Sequence, residues 1–146
     1  MKPEIWGPCA WIFLHFTTMN YPNNPTSEDR ANYKRFFYAL TKVLPCEKCQ
    51  KHLEEHINHF PIDPYLDSPN KLAEWLVIVH NRVNKSLGKK EITIQEFEDI
   101  YSRFMTGDTN PIRLQNQCLL PTSKVPYFVI GILITLLIGS VYYFKK

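Results

Sequence analysis

The sequence predicts an all-α protein: a four-helix bundle with a short fifth helix, followed by a C-terminal transmembrane helix. Three observations lead there. Apolar residues recur at i, i+3, i+4 and i+7 in successive segments. Those segments are punctuated by prolines and N-cap residues. Residues 125–144 contain no charged side chain. No segment alternates with the period of a strand, and there is no internal repeat or low-complexity tract. A chain of 146 residues with 45% apolar and 14% aromatic content suits a single domain with a modest core.

Pro8 opens the first helix in this reading, with Trp11, Leu14, His15 and Thr18 on its inner face. Tyr21-Pro22-Asn23-Asn24-Pro25 ends it as a loop. Thr26 with Asp29 starts a second helix, whose apolar stripe is Phe36, Phe37, Leu40 and Val43. A third begins at Pro45 and repeats inward at Cys49, Leu53, Ile57 and Phe60. Ser68-Pro69 reads as N-cap and first turn of a fourth, which places Leu72, Leu76, Val79, His80, Val83 and Leu87 on one face and Gly88 at C′. Thr93 and Glu96 form the capping box of a fifth helix ending near Phe104. The expected organisation is a folded domain at 1–106, a linker at 107–124, an anchor at 125–144 and terminal lysines at 145–146.

The anchor segment, VPYFVIGILITLLIGSVYYF, lies between Lys124 and Lys145-Lys146. At about 1.5 Å rise per residue it spans a hydrocarbon core of about 30 Å. Tyr127, Tyr142 and Tyr143 sit near its ends, as interfacial aromatics do. The N-terminus, MKPEIWGPCAW, carries no apolar stretch of the secretory type. A C-terminal anchor of this kind inserts after synthesis and leaves the preceding domain facing the cytosol. The net charge is +3, two units of it from the last two lysines, and no basic stripe is present. Nucleic acid is therefore not an expected partner.

Cys9, Cys46, Cys49 and Cys118 do not make a disulfide scaffold, because only the central two are close in sequence. Leu44-Pro45 breaks a helix, which places Cys46 and Cys49 in the first turn of the next, where free N–H groups favour thiolate. Such a pair forms a readily exchanged disulfide, or supplies half of a metal site. His56 and His59 would complete the pattern C-x2-C-x6-H-x2-H of a membrane-anchored zinc adaptor. On an uninterrupted helix, however, Cys46 and His59 would stand about 20 Å apart. A thioredoxin-like fold needs strands, and none are available. His80 and Asn84 share an otherwise apolar face, and each needs a hydrogen-bond partner, from a bound heterocycle or from neighbouring backbone. Trp6, Trp11 and Trp75 pose the same choice between core and stacking wall.

Taken together, WGPCAWIFLH, LPCEKC and W-x4-HNRVNKSLGKK, in this order and spacing, resemble the Erv/ALR family of FAD-linked sulfhydryl oxidases across about residues 6–104. The resemblance implies a helical bundle that holds FAD non-covalently, takes electrons from a protein dithiol substrate or a thioredoxin-like carrier, and passes them to molecular oxygen, yielding hydrogen peroxide. By position, Cys46 resembles the interchange thiol and Cys49 the flavin-proximal one. Gly7, Trp11 and His15 match the first FAD-contacting motif. His80, Asn81 and Asn84 match the second. Lys89 falls where a basic residue faces the pyrophosphate, and Tyr101 where an aromatic lies beside the adenine. His52 resembles a histidine of viral members that contacts the flavin or tunes the thiolate. No metal is expected. The family commonly dimerises through its first two helices, so a homodimer is expected here.

Two departures stand out. Val77 and Ile94 look like the positions of a structural disulfide found in cellular members, and where many members carry a second CxxC on a tail this chain has only the lone Cys118. This single-domain form most resembles the enzymes of large cytoplasmic DNA viruses. It implies a disulfide-forming activity on host cytoplasmic membranes or the virion membrane.

Overall fold

Local capping signals set the helix starts. Thr26 Oγ1 accepts the Asp29 N–H at 3.1 Å, and Asp29 Oδ2 accepts the Thr26 N–H at 2.9 Å. Thr93 and Glu96 make the same reciprocal pair at 3.0 and 2.9 Å, and Ser68 Oγ accepts the Lys71 N–H at 3.3 Å. Each such cap contributes about 1 kcal/mol. The computed structural model describes residues 1–106. Over these it contains α1 (Pro3–Met19), α2 (Ser27–Val43), α3 (Glu47–His59), a 3-10 turn at Asp63–Tyr65, α4 (Pro69–Ser86) and α5 (Ile94–Met105), with no strand among the described residues. The expected linker, anchor and Cys118 lie outside them. No described helix is long and apolar enough to cross a membrane.

Three boundaries differ from the sequence reading. α1 begins at Pro3, not Pro8, so Pro8 lies inside the helix. Its missing N–H forfeits one bond, to the carbonyl of Glu4 on the exposed first turn. Cys46 caps α3 from outside with extended backbone (φ −161°, ψ 109°), and Leu44 ends α2 at ψ 140°, the geometry that proline imposes on its predecessor. The 3-10 turn at Asp63–Tyr65 carries no period that a sequence reading detects. Val43 and Leu87, expected on inner faces, are 67% and 58% exposed, because each sits at a helix end past its packing neighbours.

The main core joins Leu14, Phe37, Leu53, Ile57, Ile62, Leu72, Leu76 and Val79 around Trp75. Trp75 belongs to this core: its Nε1–H donates to the Phe60 carbonyl at 2.8 Å, and Phe37 meets it edge-on at 4.9 Å. α1 and α4 run antiparallel, with Trp11 against His80 at one level and Phe16 and Met19 beside Ala73 and Val77 further along. α5 closes that second cluster with Phe97 and Tyr101. Val77 is buried in it.

α4 ends in a Schellman turn. The Gly88 N–H bonds the Lys85 carbonyl at 3.1 Å, the Lys89 N–H bonds the Asn84 carbonyl at 2.8 Å, and Gly88 sits at φ +65°. A Cβ added to Gly88 would meet nothing within 4 Å, so only backbone strain opposes a side chain there. Gly88→Ala is expected to lower stability by about 1 kcal/mol. Urea denaturation reads this directly, and an unchanged midpoint would show that the turn relaxes without cost.

Candidate active site

Cys46 and Cys49 form a disulfide with Cα atoms 5.2 Å apart. Cys49 lies in the first turn of α3, and its N–H donates to Cys46 Sγ at 3.2 Å. Both residues are half-buried, so a reacting thiol can reach them. Open, the pair would leave Cys46 Sγ at a helix N-terminus, where N–H groups and the helix dipole favour thiolate. This arrangement gives the zinc alternative no support. Both sulfurs are spent on each other, and α3 runs unbroken to His59, holding the two ends of the proposed ligand set apart. Among the described residues, no group of three or more His, Cys, Asp or Glu side chains could hold a metal ion.

A second constellation forms where α1 faces α4. Trp11 and His80 stack at 3.9 Å with planes 7° apart. His15 Nε2 lies 3.0 Å from His80 Nδ1, so one imidazole donates and the other accepts. Phe97 and Tyr101 of α5 close over His15 at 4.9 and 5.2 Å. They also line a groove of about 270 Å³ with Met19, Ala73 and Ile94. Burial drives the His15 pKa down to about 3, aided by His80. Burial likewise takes His80 to about 4, aided by the charge of Lys89, which the Schellman turn brings back beside α4.

The structure thus brings Trp11, His15, His80 and Tyr101 into one cluster, with Lys89 in electrostatic reach. Asn84 is buried on the same helix. Asn81 instead closes the loop between α4 and α5, where its amide donates to the Ile92 carbonyl at 2.7 Å and accepts the Ile92 N–H at 2.9 Å. His52 is half-buried one turn beyond Cys49. Burial lowers the pKa of His56, and the nearby His52 adds to that shift. Gly7 is half-buried, yet a Cβ there would meet nothing within 4 Å. Among the described side chains, three buried nitrogens have no hydrogen-bond partner: Trp6 Nε1, His15 Nδ1 and His56 Nε2. Sequence reasoning missed Phe97 and weighed His56 only as a zinc ligand. Phe97 was legible as the residue one turn before Tyr101 on the same face, whereas His56 left no signal beyond its place in the rejected zinc pattern.

Residues 8–102 match the Erv1/Alr family. The chain belongs to that family. It is 39% identical over 107 residues to a probable FAD-linked sulfhydryl oxidase of Acanthamoeba polyphaga mimivirus, covering 73% of this chain and 75% of that one. The mitochondrial FAD-linked sulfhydryl oxidase of Saccharomyces cerevisiae is 30% identical, over 65% of this chain and 49% of its own length. The crystal structure of the FAD-binding domain of yeast Erv1 superposes with a TM-score of 0.63 at 30% identity, covering 68% of this chain and 92% of that domain. The Erv1/Alr fold is therefore present in the described helices.

The two depressed histidines have a measurable consequence. The folded chain holds them neutral, while the unfolded chain protonates them near pH 6.5. Their contribution to stability is complete above pH 6.5 and is lost as pH falls toward 4 and then 3. Urea unfolding across this window is expected to show stability declining by up to about 1.4 kcal/mol per pH unit for each proton taken up. His15→Gln should flatten the decline. An identical slope in that variant would place the acid sensitivity elsewhere.

Proposed function

We infer that this chain is an FAD-linked sulfhydryl oxidase, converting thiols of protein substrates to disulfides with oxygen as the final acceptor. The observation that carries the reading is the Cys46–Cys49 disulfide at the N-terminus of α3 in an Erv1/Alr chain. The mimivirus and yeast relatives are named FAD-linked sulfhydryl oxidases.

The residues present fit a flavin dinucleotide. Trp11 and His80 offer a flat aromatic wall. The unpartnered His15 Nδ1 and Trp6 Nε1 suit the heteroatoms of a bound heterocycle. Gly7 leaves open space on a half-buried turn of α1, and Lys89 supplies a cation for the pyrophosphate. Asn81 contributes through the loop it closes, which follows Lys89. Bound FAD supplies the two-electron acceptor that returns the dithiol to disulfide and is itself reoxidised by oxygen, releasing hydrogen peroxide. Cys46 takes the incoming substrate thiolate, and Cys49 leaves as thiolate within the first turn of α3, where free N–H groups favour it. The substrate is a protein dithiol or a thioredoxin-like carrier.

A second copy of the chain is the natural cover for α1, where Ile5 and Phe13 are 50% and 61% exposed and Phe13 meets Phe36 of α2 edge-on. The protein is therefore expected to sediment as a dimer at micromolar concentration, and Phe13→Asp to shift it toward monomer. A wild-type monomer would sink the dimer reading while leaving the oxidase reading intact.

For the oxidase itself, the full chain purified without added flavin is expected to show flavin absorption and to consume oxygen on addition of dithiothreitol. Cys49→Ser should keep the flavin, which non-thiol contacts hold, and lose at least about 100-fold in oxygen uptake. A colourless protein with no thiol-dependent uptake would overturn the assignment.

A further inference from the structure

The junction between α2 and α3 carries a hydrogen bond that the chemistry above does not use. Gln50 Nε2 reaches back over Pro45 and donates to the Leu44 carbonyl at 2.7 Å. The same oxygen accepts the Cys46 N–H at 2.8 Å. Leu44 caps the end of α2, with its own N–H on the Leu40 carbonyl, and Cys46 caps the start of α3. One carbonyl, that of the α2 cap residue, thus ties the end of one helix to the cysteine and to the first full turn of the next. Pro45 has no N–H to add. Further along the same two helices, Lys42 and Glu54 pair at 2.6 Å, but both are exposed, and such pairs contribute little. Gln50 is half-buried.

We propose that Gln50 is a positioning residue for Cys46, holding the Leu44-Pro45-Cys46 turn so that Cys46 Sγ stays at the N-terminus of α3 when the disulfide is open. This deepens the oxidase reading and rests on it. In the oxidised pair the covalent bond itself restrains Cys46. Cys46 stands outside the helix on extended backbone, and in the dithiol the covalent restraint is gone. The contact from the Cys49 N–H to Cys46 Sγ then survives only if the turn keeps its shape.

The contact matters at a particular step. A substrate thiolate attacks Cys46 Sγ; a substrate–Cys46 bond forms, the Cys46–Cys49 bond breaks, and the electron pair leaves on Cys49. A second thiolate of the substrate then attacks the first substrate sulfur. The substrate disulfide forms, the bond to Cys46 breaks, and Cys46 departs as thiolate. The substrate has given up two electrons and two protons, the cysteine pair has gained the electrons, and the protons go to solvent or to the freed sulfurs. In the second step Cys46 is the leaving group, so the amide that stabilises its thiolate speeds its release. Gln50 touches neither sulfur in this scheme and acts through the turn.

Gln50→Met keeps the length of the side chain, removes the donor and adds no charge, while Gln50→Ala removes both. The charged groups of the junction, Lys42, Glu47, Lys48 and Glu54, stay in place in both variants. The test is the pH dependence of Cys46 alkylation in the reduced full chain, followed by mass spectrometry, alongside helix content and flavin content. Both variants are expected to keep their helix and flavin content. Their Cys46 midpoint should move up by about half to one pH unit, and release of substrate from Cys46 should slow about three- to tenfold, the size of one net hydrogen bond. A residue with a merely structural role would lower the melting temperature and leave the Cys46 midpoint where it was. An unmoved midpoint in either folded variant overturns the proposal. The alkylation reading needs no cofactor, so it separates failure of this assignment from failure of the oxidase reading, which a colourless wild-type protein would reveal.

Discussion

The hydrogen bond between His15 and His80 is the contact on which the packing of α1 against α4 turns. At 3.0 Å it locks α1 against α4 in one antiparallel register. Burial keeps both imidazoles neutral, and one ring donates while the other accepts. Trp11 then lies flat on His80, and α5 lays Phe97 and Tyr101 over His15. Charging both histidines would set donor against donor in a buried setting, which is costly. The register, the aromatic wall and the neutral protonation state are one arrangement.

The redox pair depends on a different constraint, at the other junction of the bundle. Proline at 45 forces Leu44 out of helical geometry, so α2 must end there and α3 must start anew. That break puts one cysteine on the cap and the other in the first turn, where unpaired N–H groups are concentrated. A continuous helix would have bonded those amides internally and left both sulfurs in an unremarkable electrostatic setting. The chemistry of the pair is thus a property of a helix boundary, and the boundary is a property of one imino acid.

Much of this was readable from residue types. The capping pairs Thr26–Asp29, Ser68–Lys71 and Thr93–Glu96 are local bonds spanning three residues, so sequence proximity alone dictates them. Gly88 at the end of α4 follows equally from local backbone geometry. What proved illegible was non-local or marginal. Pro8 sits inside α1 because Pro3 supplies an earlier start and the forfeited bond is on an exposed turn. Val43 and Leu87 keep helical phase but run past the neighbours that would bury them. Asn81 carries a family motif, yet both ends of its side chain are engaged by Ile92, eleven residues away across a loop whose path no pattern predicts.

The sequence by itself determined the all-helical class, the position of the helix breaks, the placement of Cys46 and Cys49 at a helix start and, through three spaced motifs, the family. These follow from interactions within a few residues and from side-chain chemistry, which are written in order along the chain. Only the tertiary structure decided that His15 meets His80, that Trp11 rather than Trp75 stacks on His80, and that Gln50 bonds back to the turn before Cys46. Those outcomes depend on which helix faces which, at what register and depth. That is settled by packing a shared core whose solution no single segment contains.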